Sequence, residues 1–121
     1  MLVKDPTVEI ADKFWMLGTN EYPFYLYRGA ESGTIFEGGI GPMGRLVCDQ
    51  LKTLGLADDY IKQLVVTHAH PDHVMAVPAL RDAFPGVCVM ASESAAGTLG
   101  NEKAVGFFCK MDDGLTGALL A

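Results

Sequence analysis

All three histidines of this chain fall within six consecutive positions, in the run Val65-Val66-Thr67-His68-Ala69-His70-Pro71-Asp72-His73. Imidazole and carboxylate are side chains from which zinc and iron take their protein ligands. In an extended loop alternate residues share a side, so His68 and His70 point the same way and two imidazoles converge on one cation. Pro71 fixes the backbone that follows, and Asp72 and His73 then turn toward a second cation beside the first. A single histidine is ordinarily a packed or solvated side chain; the pattern His-x-His-x-Asp-His is not explained that way. Three neighbouring imidazoles repel one another when protonated, and a bound metal holds them neutral. The chemistry this pattern serves is metal binding.

The elements that must position the cluster are legible in the hydrophobic periodicity. A short apolar strand from Lys62 to Val66 leads into it, so the cluster sits at a strand's carboxyl end. Upstream, Val8 to Leu17 alternates loosely and reads as a strand pair or one bent strand. Gly18-Thr19-Asn20 and Pro23 make a turn, and Phe24-Tyr25-Leu26-Tyr27-Arg28 is strongly β-prone. Gly29 to Gly33 closes a hairpin into Thr34-Ile35-Phe36-Glu37, which ends at Gly38-Gly39. This is an antiparallel meander. The period then becomes helical, with Leu46, Val47, Leu51 and Leu54 marking a helix from Met43 to Leu54 that Gly55 stops.

Beyond the cluster, Val74, Val77, Leu80 and Phe84 mark a second helix, with Pro78 distorting its first turns and Pro85-Gly86 ending it. Val87 to Ala91 is a further strand, and Ser92 an N-cap. The remainder, through Phe107-Phe108 to Leu119-Leu120, reads as helical with a break near Asp112-Asp113-Gly114. Strand-helix-strand-helix at these lengths implies parallel pairing through crossovers. The fold class is therefore α/β (α+β): a mixed β-sheet whose antiparallel amino-terminal meander is followed by β-α-β-α. Residues 1–121 read as a single domain without repeat, low-complexity tract or linker.

Composition removes several partner classes. A net charge of −6 leaves no basic patch for nucleic acid and no attraction to anionic membranes. No apolar run approaches the ~18 residues of a membrane span, and Met1-Leu2-Val3-Lys4-Asp5-Pro6 lacks the apolar core of a signal peptide. Cys48, Cys88 and Cys109 are odd in number and widely spaced, which fits reduced thiols, packed as small hydrophobes, in a cytoplasmic protein. Hydrophobic residues make up 50% with the 14 glycines left out, against the usual ~45–50% with glycine included. That excess needs somewhere to go.

The segment Thr67-His68-Ala69-His70-Pro71-Asp72-His73 resembles the signature of the metallo-β-lactamase superfamily. The match extends to the meander, the strand ending Ile35-Phe36-Glu37-Gly38-Gly39, the helix and strand that lead into the motif, and the stretch from Pro78-Ala79-Leu80 through Phe84-Pro85 to Val87–Ser92. The motif is specific for the superfamily and not for a substrate, since one scaffold hosts many chemistries. The resemblance implies half of an αββα sandwich. His68 and His70 would be ligands of a first metal, and Asp72 and His73 of a second, with Asp72 also orienting a bridging water. Two zinc ions are implied, with iron or manganese as alternatives. The reaction implied is hydrolysis of an ester, thioester, amide or phosphodiester in a small-molecule substrate, with a metal-bridged hydroxide as nucleophile. A di-iron oxygen or nitric-oxide reductase of the flavodiiron type shares the fold. Its members usually carry an acid where His70 stands, so His70 favours zinc hydrolysis.

There are two departures from the family pattern. Members commonly carry Asp where Glu37 stands, and the extra methylene leaves two readings, a support of the metal loop or a solvated carboxylate at a strand end. The family fold is also about twice this length, and its later half supplies further ligands, whereas no histidine follows His73. Each metal then has at most two ligands from the motif, while a catalytic zinc normally has three. Asp112 and Asp113, the only aspartate pair downstream, are Gly-flanked and read as solvated. The expectation is an amino-terminal fragment of a longer enzyme, poorly active alone, with one sheet face left apolar. Such a face invites self-association or a missing carboxyl-terminal half. The non-catalytic alternative is a half-domain acting through that association.

Overall fold

The structure, a computed structural model, describes residues 7–120; the stretch 1–6, in which no signal core was expected, lies outside the described residues. Val8–Ala11 (β1) and Phe14–Gly18 (β2) form a hairpin, so the first segment is a strand pair and not one bent strand. Pro23–Arg28 (β3) and Gly33–Phe36 (β4) complete an antiparallel meander. Helix Met43–Thr53 (α1) then crosses to Ile61–Val65 (β5), which pairs parallel with β4. After the histidine cluster, Val77–Ala83 (α2) leads to Cys88–Met90 (β6), parallel to β5. Glu93–Leu99 (α3) and Glu102–Leu120 (α4) follow. The sheet is six-stranded in the order β1-β2-β3-β4-β5-β6, with its antiparallel half first and its parallel half last, as the periodicity predicts.

One face of this sheet forms the core. Leu17, Phe24, Leu26, Ile35 and Leu64 are essentially buried and join Met43, Val47 and Leu51 of α1 and Leu80 of α2 in one cluster. The opposite face carries an apolar row beside a polar pair, Thr34 donating to Gln63 Oε1 at 3.0 Å. Strand register places Val8, Met16, Tyr25, Phe36, Val65 and Met90 side by side in one row across all six strands. Phe14 stacks on Tyr25 at 5.7 Å in this layer and tilts against Phe36 at 6.2 Å. Val8 and Met90 are each 45% exposed. The hydrophobic excess thus goes into this second apolar row, where a solvated sheet would alternate with polar residues. Among the described residues, no helix is long and apolar enough to cross a membrane.

Three local expectations are corrected. The second helix begins at Val77 and not at Val74: Val74 ends the 3₁₀ turn in a non-helical conformation, φ −138°, and the Met75 and Ala76 amides that follow donate to the Gly39 and Gly38 carbonyls at 3.0 and 2.8 Å. Pro78 therefore sits in the first turn, where its missing N–H is harmless, and does not distort the helix. The last helix has no break at Asp112-Asp113-Gly114. The Asp112 carboxylate accepts from the Gly41 amide at 2.8 Å, so it does not compete for its own backbone, and one helical glycine costs only about 1 kcal/mol. The interruption falls earlier, where Gly100 ends α3 and Asn101 Oδ1 accepts from the Ala104 amide. As for the cysteines, Cys88 and Cys109 are exposed, so the packed-hydrophobe expectation fits only half-buried Cys48, whose thiol pKa burial raises.

One polar side chain in the core locks a helix to the meander. Gln50 of α1 pairs with the Gly18 backbone as a peptide group would: its Oε1 accepts from the amide at 2.7 Å and its Nε2 donates to the carbonyl at 3.2 Å. Gly18 has φ +82°, and a Cβ there would lie 2.5 Å from the Tyr22 carbonyl oxygen, so the β2–β3 turn closes only on glycine. Replacing Gln50 with Ala strands two buried backbone groups. The expected loss is about 1–3 kcal/mol, measured as a lower urea midpoint at unchanged m-value.

Candidate metal centre

β5 ends at Val65, and the chain leaves the sheet extended. Pro71–His73 form one 3₁₀ turn, closed by the His73 amide donating to the His70 carbonyl at 2.9 Å. This brings the three imidazoles together. His68 and His70 have ring centroids 4.8 Å apart, edge to face, and His68 and His73 are 3.9 Å apart. His68, His70 and Asp72 are exposed and His73 is half-buried.

A residue from another strand organises the cluster. Glu37 follows β4 with φ +98°, outside the strand that the sequence extends through it. Its amide still donates to the Val65 carbonyl at 3.0 Å, so the chain turns only after that last sheet bond. The Glu37 side chain is only 15% exposed and does not reach into solvent. Its Oε1 accepts from the Gly38 amide at 3.0 Å, and its Oε2 from the Thr67 hydroxyl at 3.1 Å. Thr67 Oγ1 also lies 3.1 Å from His68 Nδ1. A hydroxyl has one proton, and here it points at Glu37, so Thr67 can only accept from His68. That places the His68 hydrogen on Nδ1 and its lone pair on Nε2.

His73 is set by the same carboxylate. Its Nδ1 stands 2.9 Å from Glu37 Oε1, at ion-pair distance but off the line of a hydrogen bond, which leaves this buried nitrogen without a hydrogen-bond partner. An adjacent carboxylate favours the hydrogen on Nδ1 and the lone pair on Nε2. His73 Nε2 faces Asp72 Oδ2 across 3.4 Å. That is long for a hydrogen bond, and it matches the edge of a tetrahedron with metal–ligand bonds of about 2.0–2.1 Å, roughly 3.3–3.4 Å. These donors suit a divalent cation in type, and the Asp72–His73 pair suits one in spacing. Among the described residues, no group of three or more His, Cys, Asp or Glu side chains is arranged to hold a metal ion.

Backbone from the β4–α1 loop lies directly under this centre. A Cβ on Gly38 would sit 2.5 Å from the His73 carbonyl oxygen, and one on Gly39, at φ +44°, 2.5 Å from the Phe24 ring. Asp112 is brought in by α4. Its contact with Gly41 places it beside Asp72 on the wall of a cavity that also includes Tyr22, Ile40, Met111 and Leu115. The sequence reading identified the motif and left Glu37 open between two roles, and the structure assigns it the supporting one. It missed Thr67, whose only signal is its place before His68. It placed Asp112 in solvent, because a partner 71 positions away leaves no local trace.

The parallel half of the sheet thus ends in a loop bearing three histidines and an aspartate, braced by a carboxylate that follows the neighbouring strand. The metallo-beta-lactamase superfamily model matches residues 22–116, and the chain belongs to that superfamily. Among solved structures, a metallo-beta-lactamase of Cronobacter sakazakii with a HARLDQ motif is 21% identical, with a TM-score of 0.73 over 78% of this chain and 36% of that one. MEM-A1, a subclass B3 metallo-beta-lactamase from a soil metagenome, is 18% identical, with a TM-score of 0.74 over 79% of this chain and 36% of that one. Ribonuclease J of Mycolicibacterium smegmatis is 36% identical over 63 residues, which are 52% of this chain and 11% of that protein. The chain thus spans about a third of the length of these solved structures and a smaller part of the ribonuclease.

If Glu37 orients both His68 and His73, Glu37→Ala should weaken zinc binding by about 10–100-fold, read by competition with a chromophoric chelator. Glu37→Gln should fall between, since its amide oxygen can still accept from Thr67. Equal zinc affinity in all three proteins would show that Glu37 does not orient the ligands.

Proposed function

We propose that this chain carries part of the active centre of a metal-dependent hydrolase, with His68 and His70 as ligands of one divalent cation and Asp72 and His73 as ligands of a second. The observation that carries this is the Glu37 brace, which meets His68 through the Thr67 hydroxyl and sets a carboxylate beside His73 Nδ1, leaving the Nε2 atoms of both rings to face a cation. Zinc suits these nitrogen and oxygen donors, with iron or manganese as alternatives. A bound cation of this kind acidifies water to near-neutral pKa and polarises a carbonyl or phosphoryl oxygen. Asp72, 49% exposed, has carboxylate oxygen free to accept a hydrogen bond from the attacking water and so to orient it. Thr67 and Glu37 keep the Nδ1 protons of the histidines in place during turnover. The names of the relatives suggest two bond types, the β-lactam amide and the RNA phosphodiester, and esters and thioesters yield to the same chemistry. Three free cysteines suit a reducing compartment, and the cytoplasm is the proposed location.

Zinc-loaded protein should hydrolyse an activated ester, thioester or phosphodiester faster than metal-stripped protein. His68→Ala and Asp72→Asn should each lower that rate by about 100-fold or more. Activity that survives both metal stripping and His68→Ala would sink this reading.

We also propose that the outward row of Val8, Met16, Tyr25, Phe36, Val65 and Met90 is covered by another surface in the working protein, either a second copy or a further segment. Apolar rows of this extent are rarely left in water. Light scattering of the 121-residue chain should give a mass above one chain, rising with concentration. A stable monomer with unchanged solubility would argue that the row tolerates water.

A further inference from the structure

We propose that the cavity between the metal loop and α4 holds the side group of the substrate, and that it selects an uncharged apolar acyl group over a polyanionic strand. This rests on the hydrolase reading and narrows it to carbonyl substrates. The cavity shares Asp72 with the candidate centre, so a group seated in it is connected to the atoms being cleaved. Tyr22 and Ile40 form one wall, and Met111 and Leu115 of α4 the other. Its volume is about 310 Å³, at the lower end for ligand sites. That is room for a short alkyl or aryl group and not for a whole extended ligand. Met111 is 49% exposed at the mouth, where an unbranched thioether adapts to different apolar shapes.

Charge decides which side groups fit. The lining includes Asp72 and Asp112 and no lysine, arginine or histidine. Asp112 Oδ1 accepts from the Gly41 amide, which holds its negative charge on the cavity wall. The chain as a whole carries −6. A nucleic acid strand brings phosphates on both sides of the scissile bond, and one seated in the cavity beyond the cation held at Asp72 would meet the Asp112 carboxylate with no lysine, arginine or histidine of the lining to offset it. An alkyl chain meets apolar walls and gains from each methylene it buries.

Two measurements on the full chain test this. With zinc-loaded protein, kcat/KM for p-nitrophenyl acetate, butyrate and hexanoate should rise by up to about fourfold per added methylene until the cavity is filled, and bis(p-nitrophenyl) phosphate should be the poorer substrate. Met111→Glu should flatten the rise; its side chain is exposed enough that the fold should survive. Leu115→Asp should do the same, checked for folding by circular dichroism. Separately, hexanamide titrated into metal-free protein should shift the methyl resonances of Ile40, Met111 and Leu115, and hexyl phosphate should bind about tenfold more weakly or worse. Hexanamide binding at these methyls without ester hydrolysis would support the cavity and count against the hydrolase reading alone. Ester hydrolysis without chain-length dependence, or hexyl phosphate binding as tightly as hexanamide, would overturn the cavity proposal and leave the hydrolase reading standing.

Discussion

The centre depends on two polypeptide segments approaching closer than side chains allow. The Gly38 backbone runs beneath the His73 carbonyl, and Gly39 beneath the Phe24 ring, each at distances where an added Cβ would collide. Because nothing projects from these two positions, their carbonyls can accept the Ala76 and Met75 amides that follow the 3₁₀ turn. Those two bonds hold the loop against the β4–α1 backbone. A larger residue at Gly38 would lift the loop off its support and move His73 with it. The Gly38-Gly39 pair therefore acts on the chemistry through backbone geometry, although neither residue has a side chain to offer a metal.

Glu37 adds the electrostatic half of the same arrangement. It sits where the chain leaves β4 in a left-handed conformation, which costs a non-glycine residue on the order of 1 kcal/mol or more. In return the carboxylate turns back toward β5, where it meets the Gly38 amide, the Thr67 hydroxyl and His73 together. One side chain thus fixes a histidine from each proposed ligand pair, directly for His73 and through Thr67 for His68. The extra methylene relative to Asp is consistent with this reach. A backbone that strained around a carboxylate that buried suggests that orientation of the histidines is what the strain maintains.

How far the sequence reveals this follows from the range of the forces involved. Alternating and helical periodicities report local burial, and they were sufficient for the order of the strands and helices and for the switch from antiparallel to parallel pairing. The histidine cluster was visible because its members are contiguous. The errors share one cause, a long-range partner. α2 starts late because the loop is laid on the Gly38-Gly39 backbone and its 3₁₀ turn ends at Val74 in a non-helical conformation, and α4 stays intact through Asp112 because Gly41 engages that carboxylate. Glu37 could be assigned only once β4 and β5 were seen side by side, since Thr67 and His73 lie 30 positions or more away.

The proposed ligands and the outward apolar row meet at one end of the sheet. Phe36, Val65 and Met90 close β4, β5 and β6, and in register they form the part of the outward apolar row nearest the metal loop. Glu37 follows Phe36 directly, and Thr67 lies two positions after Val65. Any surface that buries this row must therefore extend close to the carboxyl ends of the parallel strands, where His68, His70, Asp72 and His73 present their donors. Hydrophobic burial is non-directional and supplies most of the free energy of such an association, whereas coordination is directional and needs its donors held within tenths of an ångström. Burial at the row, proposed above, would therefore act right beside the proposed ligands, and the non-directional interaction would set the surroundings in which the directional one is made.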